Sequence, residues 1–153
     1  MAASPNPGPA TAEGIVLAFD FGTRRIGVAI GNTLLRDARP LAAIDAPATA
    51  QRFAAIAELV DEWQPCLLVV GRPVHMDGTV HEMTARSERF ARQLEGRFRL
   101  PVRFADERGT TGLARPMAGA SGVRGRGARD AVAAQLILQS YFDQPTTETG
   151  SAP

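Results

Sequence analysis

The sequence predicts an α/β domain built on a mixed five-stranded sheet with helices on both faces. Three observations predict it. Apolar runs of strand length and runs of helical period follow one another in the order β-β-β-α-β-α-β-α. The first three strands are joined by short connections, which favours an antiparallel meander. The last two strands are each reached through a helix, which favours parallel crossovers.

The elements justify this order one by one. IVLAFD at 15–20 is an apolar strand ending in a carboxylate, FGTRR is a turn, and IGVAIG at 26–31 is the returning strand of a hairpin. LAAID at 41–45 is a weaker third strand. TAQRFAAIAELVDEW reads as a helix, because Phe53, Ile56, Val60 and Trp63 recur at helical spacing and Pro65 closes it. CLLVVG at 66–71 is a continuous apolar run of the kind found in a buried central strand. A second helix is expected over 82–98, with Phe90, Leu94 and Phe98 in one row and Arg86, Arg89 and Arg92 on another face. VRFADE at 102–107 is the fifth strand, with Pro101 at its start, where proline is tolerated. Residues 108–129 hold six glycines and no sustained apolar period, so they predict a long loop of the functional or disordered kind. DAVAAQLILQSYF at 130–142 is the last helix, with Ala134, Ile137, Leu138 and Tyr141 on its apolar face.

One domain over 14–143 follows, with a disordered leader over 1–13 and a polar tail over 144–153. The leader lacks the basic start and apolar stretch of a signal peptide. No apolar run approaches the roughly 18 residues that span a bilayer, so no membrane partner is expected. Cys66 is the only cysteine and opens an apolar run, which reads as a core thiol in a cytoplasmic protein. Net charge is +1 but unevenly spread: residues 86–129 carry a net of +7 between two stretches of −3 each. A basic middle section suits a phosphate backbone. All 17 basic residues are Arg, a bias that fits a GC-rich genome as readily as a functional demand.

Three acids attract attention. Taken singly, Asp20 reads as a turn cap, Glu107 as the ion-pair partner of Arg108, and Asp130 as a helix N-cap. Taken together they read differently. In a sheet of this order the first strand is central and the fourth and fifth run parallel to it, so Asp20 and Glu107 lie near the carboxyl end of the sheet. The final helix can bring Asp130 to the same place. Three clustered carboxylates repel unless a cation lies between them, and an all-oxygen ligand set suits Mg2+ or Mn2+. Such ions support phosphodiester hydrolysis. Alternation puts Asp106 and Glu107 on opposite faces of their strand, so only one of them can enter the site.

Four stretches carry a family resemblance: LAFDFGTRRIGVAIG, VVGRPVHMDGTVHEMTARSERFARQL, VRFADERGTT and RGARDAVAAQLILQSYF. In this order they resemble the YqgF/RuvX family over roughly residues 14–143. The resemblance implies a ribonuclease H-like fold, a divalent metal and a nucleic-acid substrate. It selects Glu107 over Asp106 and implies a catalytic and metal-binding triad of Asp20, Glu107 and Asp130. It also implies a role in processing the 5′ end of the 16S rRNA precursor, with cleavage of a DNA Holliday junction as the alternative. The chain departs from the family pattern at Arg72, His75 and Leu113, which stand where Leu, Asn and Glu are usual, and Pro116 interrupts an expected helical start.

Substrate contacts are expected from Arg25, Arg72, His75, Arg108 and Arg126. Alternation sends Arg24 and Arg25 to opposite faces, and Arg25 is the one expected to face the acids. Arg72 and His75 follow a strand that ends on the same side as Asp20. Arg108, Arg124, Arg126 and Arg129 flank or fill the loop and could close over a phosphate backbone. A zinc site at His75 and His81 is not expected, because their spacing fits no zinc pattern. DFGT also resembles the phosphate-binding turn of actin-like ATPases, but those need two related domains that 153 residues cannot supply. A non-catalytic nucleic-acid-binding protein would not need all three acids. A junction resolvase should be a symmetric dimer. No long apolar surface run announces such an interface, so a monomer or weak dimer is expected.

Overall fold

The computed structural model describes residues 14–22, 24–74, 82–108 and 126–144; within these, the side chains of Val74, Glu82, Glu107, Arg108 and Arg126 lie outside the description. The expected leader, most of the expected tail, His75, His81 and residues 109–125 of the expected loop also lie outside the described residues.

Strands β1 (Ile15–Phe21), β2 (Arg25–Asn32) and β3 (Asp37–Asp45) come first, then helix α1 (Thr49–Trp63) and strand β4 (Leu67–Val74). Helix α2 (Glu82–Phe98), strand β5 (Val102–Arg108) and helix α3 (Arg126–Asp143) complete the order. The five strands form one sheet in the order β3-β2-β1-β4-β5. β1 pairs antiparallel with β2, and β2 antiparallel with β3. β4 pairs parallel with β1 and with β5. The expected meander and the two parallel crossovers are both present, and β1 is central.

The two faces of the sheet differ in the size of their side chains. Leu17, Phe19, Ile26, Val28, Leu68 and Val70 point to one face, where they pack with Phe53 and Ile56 of α1 and Phe90 and Leu94 of α2. Val16, Ala18, Ala29, Val69 and Ala105 point to the other and meet Ala134, Ile137, Leu138 and Phe142 of α3. The alanines on the second face leave little standing above the sheet, so α3 approaches closely. Both faces are apolar, as expected of a buried sheet, and each hydrophobic side chain removed from water contributes about 1.5–3 kcal/mol.

Two element boundaries depart from expectation. β3 begins at Asp37 rather than residue 41, because Asp37, Ala38 and Arg39 pair with Asn32, Gly31 and Ile30. Pro40 lies within it, opposite Ala29 and beside a register shift. This is tolerable because β3 is an edge strand and need not donate outward. The last helix begins at Arg126, four residues before Asp130, so Asp130 stands inside the helix and is not its N-cap. α1 ends as expected: Gln64 adopts a left-handed conformation and its N–H returns to the Val60 carbonyl, just ahead of Pro65. Cys66 is half-buried against the α3-side cluster rather than fully enclosed, and burial pushes its thiol pKa up.

Candidate active site

Asp20 is the last residue of β1 with the parity of Val16 and Ala18, so its carboxylate is on the α3 face of the sheet. Across the β1–β2 pairing it stands opposite Gly27. That glycine is a close-approach position: a Cβ added there would lie 1.9 Å from the backbone oxygen of Asp130. The absence of a side chain at 27 therefore lets the first turns of α3 rest on β2, directly beside Asp20. Glycine inside a strand marks such contacts. The signal is visible in IGVAIG, but the sequence reading assigned it no role.

Asp20 and Asp130 consequently interact. Burial, followed by the negative charge of Asp130, pushes the Asp20 pKa up from 3.8 to about 7. Asp130 has a partner of its own. The Arg25 Nε donates to Asp130 Oδ2 at 2.6 Å, and both side chains are half-buried. This hydrogen bond, with the Asp130 charge, raises the Arg25 pKa further. Arg25 shares its strand face with Gly27 and Ala29, as alternation requires, whereas the exposed Arg24 approaches Asp45 at 3.7 Å.

Glu107 belongs to β5, opposite Pro73 of β4 and two residues beyond Ala105. Ala105 is buried on the α3 face, so position 107 has the parity of the face that carries Asp20 and Asp130. Its side chain, like those of Arg108 and Arg126, is outside the described residues. Among the described residues no group of three His, Cys, Asp or Glu side chains could hold a metal ion. Asp20 and Asp130 alone are brought together.

Arg72 is not brought to them. It ends the series Leu68, Val70, Arg72, which faces α1 and α2. Its Nε donates to Asp106 at 2.9 Å and its Nη1 to Glu88 at 3.1 Å, while its guanidinium lies 5.1 Å from the Phe104 ring centre. The sequence reading placed Arg72 at the correct end of the sheet, but strand parity puts it on the opposite face, occupied by two carboxylates. Asp106 is thereby accounted for as a structural partner.

A divalent cation fits what the described residues offer. Two carboxylates meet at a half-buried point, ionisation of one is resisted by burial and by the other, and every donor atom is oxygen. Mg2+ commonly takes one or two carboxylates and fills its remaining positions with water and phosphate oxygens.

The comparisons with known proteins agree with this construction. The chain is similar over residues 14–144 to the family model RuvX, described as Holliday junction resolvase. A Nitrosomonas europaea protein provisionally named pre-16S rRNA nuclease is 60% identical over 134 residues, covering 86% of this chain and 90% of its own. A Chromobacterium violaceum protein of the same provisional name is 55% identical and covers 86% and 98%. Among solved structures, T. thermophilus RuvC in complex with a Holliday junction substrate matches with a TM-score of 0.50 and 18% identity, over 90% of this chain and 96% of that one. At that identity the likeness speaks for the fold alone, which is ribonuclease H-like. The family model spans nearly all of the described sheet and helices, the relatives are more than half identical, and the chain belongs to the RuvX family.

Proposed function

We propose that this chain is a divalent-metal-dependent nuclease that hydrolyses phosphodiester bonds in the precursor of 16S rRNA. The observation that carries the chemistry is the pairing of Asp20 with Asp130, which leaves a buried carboxylate whose charge is resisted until a cation arrives. Similarity to relatives provisionally named pre-16S rRNA nucleases supports the choice of substrate.

Asp20, Asp130 and Glu107 would hold Mg2+ or Mn2+. When bound, such ions lower the pKa of water and neutralise charge on the leaving oxygen. The remaining work belongs to the chain. Gly27 fixes the height of α3 above the sheet and so the position of Asp130. Arg25 holds the Asp130 carboxylate in one orientation and has further N–H groups to offer a phosphate oxygen. Arg108, Arg126 and His75 are proposed as substrate contacts because their side chains can donate to phosphate oxygens. The protein acts in the cytoplasm on naked or ribosome-bound precursor, as a monomer or weak dimer.

The test compares wild type and Asp20→Asn on single-stranded precursor RNA and on a four-way DNA junction, in Mg2+, Mn2+ or EDTA. Metal-dependent RNA cleavage that falls at least about 100-fold in the variant is expected. Cleavage persisting in EDTA or in the variant would sink the metal–carboxylate mechanism. Cleavage of the junction alone would transfer the proposal to DNA, the substrate in the family model's description.

A further inference from the structure

The opposite face of the sheet holds a cavity of about 380 Å3 that the nuclease reading does not use. It lies between α1 and α2. Its polar lining is Arg52, Arg86, Arg89, Thr49 and Gln93. Its apolar wall is the ring cluster of Phe21, Phe53 and Phe90, with centroids 4.8 Å apart for Phe21–Phe90 and 5.9 Å for Phe53–Phe90.

Arg52 is the unusual member. Only 6% of it is exposed, and among the described residues it is the one charged side chain buried to this degree. Its Nε donates to the Ala46 carbonyl at 2.6 Å, and its guanidinium lies 5.4 Å from the Phe21 ring centre. Its Nη2 is buried without any hydrogen-bond partner. Burial lowers its pKa, the reverse of what a carboxylate neighbour would do. Among the described residues no carboxylate lies within ion-pair distance of Arg52, Arg86 or Arg89. A buried, unpaired cation is costly, and proteins ordinarily pair such groups. The α1 N-terminus adds to the positive character: Thr49, its first residue, lines the cavity, and no side chain caps the helix at Ala48. Its first N–H groups lack intrahelical partners and favour an anion.

We propose that this cavity is a binding site for a phosphomonoester, with Arg52 at its base and Arg86 and Arg89 at its mouth. Size and charge select this class. A phosphomonoester brings a charge of about −1.5 to −2 and three strong acceptor oxygens at neutral pH, matched to several guanidinium forks. A phosphodiester within a strand carries a single charge and fewer free acceptor oxygens, a poorer match to three guanidinium groups. The ligand is therefore a terminal phosphate, carried by a free mononucleotide or by the end of an RNA strand. Phe21 directly follows Asp20 with its side chain on the other face, so the cavity and the acids flank the same end of β1. The site does not depend on the nuclease reading and is tested without cleavage.

The experiment uses the full chain in EDTA. Calorimetry measures binding of inorganic phosphate and AMP, and anisotropy compares one oligoribonucleotide with a 5′-phosphate or a 5′-hydroxyl, labelled at its 3′ end. Arg86→Ala and Arg89→Ala remove exposed lining residues, and Arg92→Ala removes an exposed arginine of α2 outside the cavity. The expected result is saturable binding of a phosphomonoester that weakens at least about tenfold in Arg86→Ala or Arg89→Ala and about twofold or less in Arg92→Ala. Binding of AMP assigns the site to free nucleotides; binding confined to the 5′-phosphorylated strand assigns it to RNA ends. The proposal is overturned by no saturable binding of phosphate, AMP or the strand at millimolar concentration, by equal losses in Arg92→Ala, or by equal affinity for the 5′-hydroxyl strand when phosphate and AMP fail to bind.

Discussion

Replacing Asp20 by Asn should stabilise the metal-free protein. The side chain keeps its shape but loses a charge that burial and Asp130 both oppose. The rise of the Asp20 pKa from 3.8 to about 7 corresponds to about 4 kcal/mol at 1.36 kcal/mol per pK unit. Relaxation and water entry reduce such penalties, so the expected gain is about 2–4 kcal/mol near pH 8. For a domain of this size that raises the melting temperature by at least about 4 °C. The pH dependence has a definite sign. The native pKa is above the unfolded one, so between about pH 4 and about pH 7 the native state holds a proton that the unfolded state has released. Wild-type stability contributed by Asp20 is full below pH 4 and is lost as pH rises through 7. The gap between variant and wild type should therefore be near zero at about pH 4 and complete at about pH 8. Denaturant midpoints at several pH values in EDTA measure it. Excess Mg2+ should stabilise wild type by mass action and narrow the gap at high pH. A variant no more stable than wild type at pH 8, or a gap of equal size at pH 4, refutes the claim that Asp20 is buried against Asp130.

Other expectations follow from the same contacts. Gly27→Ala places a Cβ 1.9 Å from the Asp130 oxygen, which should cost about 1–3 kcal/mol by denaturant unfolding and also lower RNA cleavage by displacing α3. Arg25→Ala leaves Asp130 without its donor and should lower the denaturant midpoint slightly in EDTA; a cleavage defect larger than the loss of folded protein would mark a phosphate contact as well. Arg72→Ala should lower the melting temperature, because it leaves Asp106 and Glu88 unpaired, while kcat for RNA cleavage stays within about twofold; a large kcat loss with unchanged stability would return Arg72 to the substrate.

The fold was legible wherever apolar period alone determines structure. β1, β2, β4 and the buried rows of α1 and α2 announce themselves by their side chains. The start of β3 does not, because Asp37, Arg39 and Pro40 belong to an edge strand whose pairing is main-chain. The start of α3 was hidden because Gly127 and the arginines around it resemble loop. The end of the sheet that carries Arg72 could be read from the sequence, but its face was left open. The alternation used to separate Asp106 from Glu107 also pairs Arg72 with Asp106. Arg52 carries no local warning, because an arginine in an alanine-rich helix is ordinarily exposed. It stands four residues before Ile56 on the apolar row, a position from which a charge must enter the core. The meeting of Asp20 with Asp130 lay in no local pattern, since it depends on what Gly27 lacks.

The Arg25–Asp130 hydrogen bond joins residues 105 apart in sequence. Half of the acidic pair resides on α3, the last helix among the described residues and so synthesised after the whole sheet. Until α3 docks on Gly27, the end of β1 lacks Asp130 and the proposed acidic site is incomplete. On the proposed mechanism a chain without docked α3 would be unable to cut, and competence would await that helix. For an enzyme whose proposed substrate is the ribosome's own RNA, that order keeps an unfinished nuclease harmless to the machine producing it.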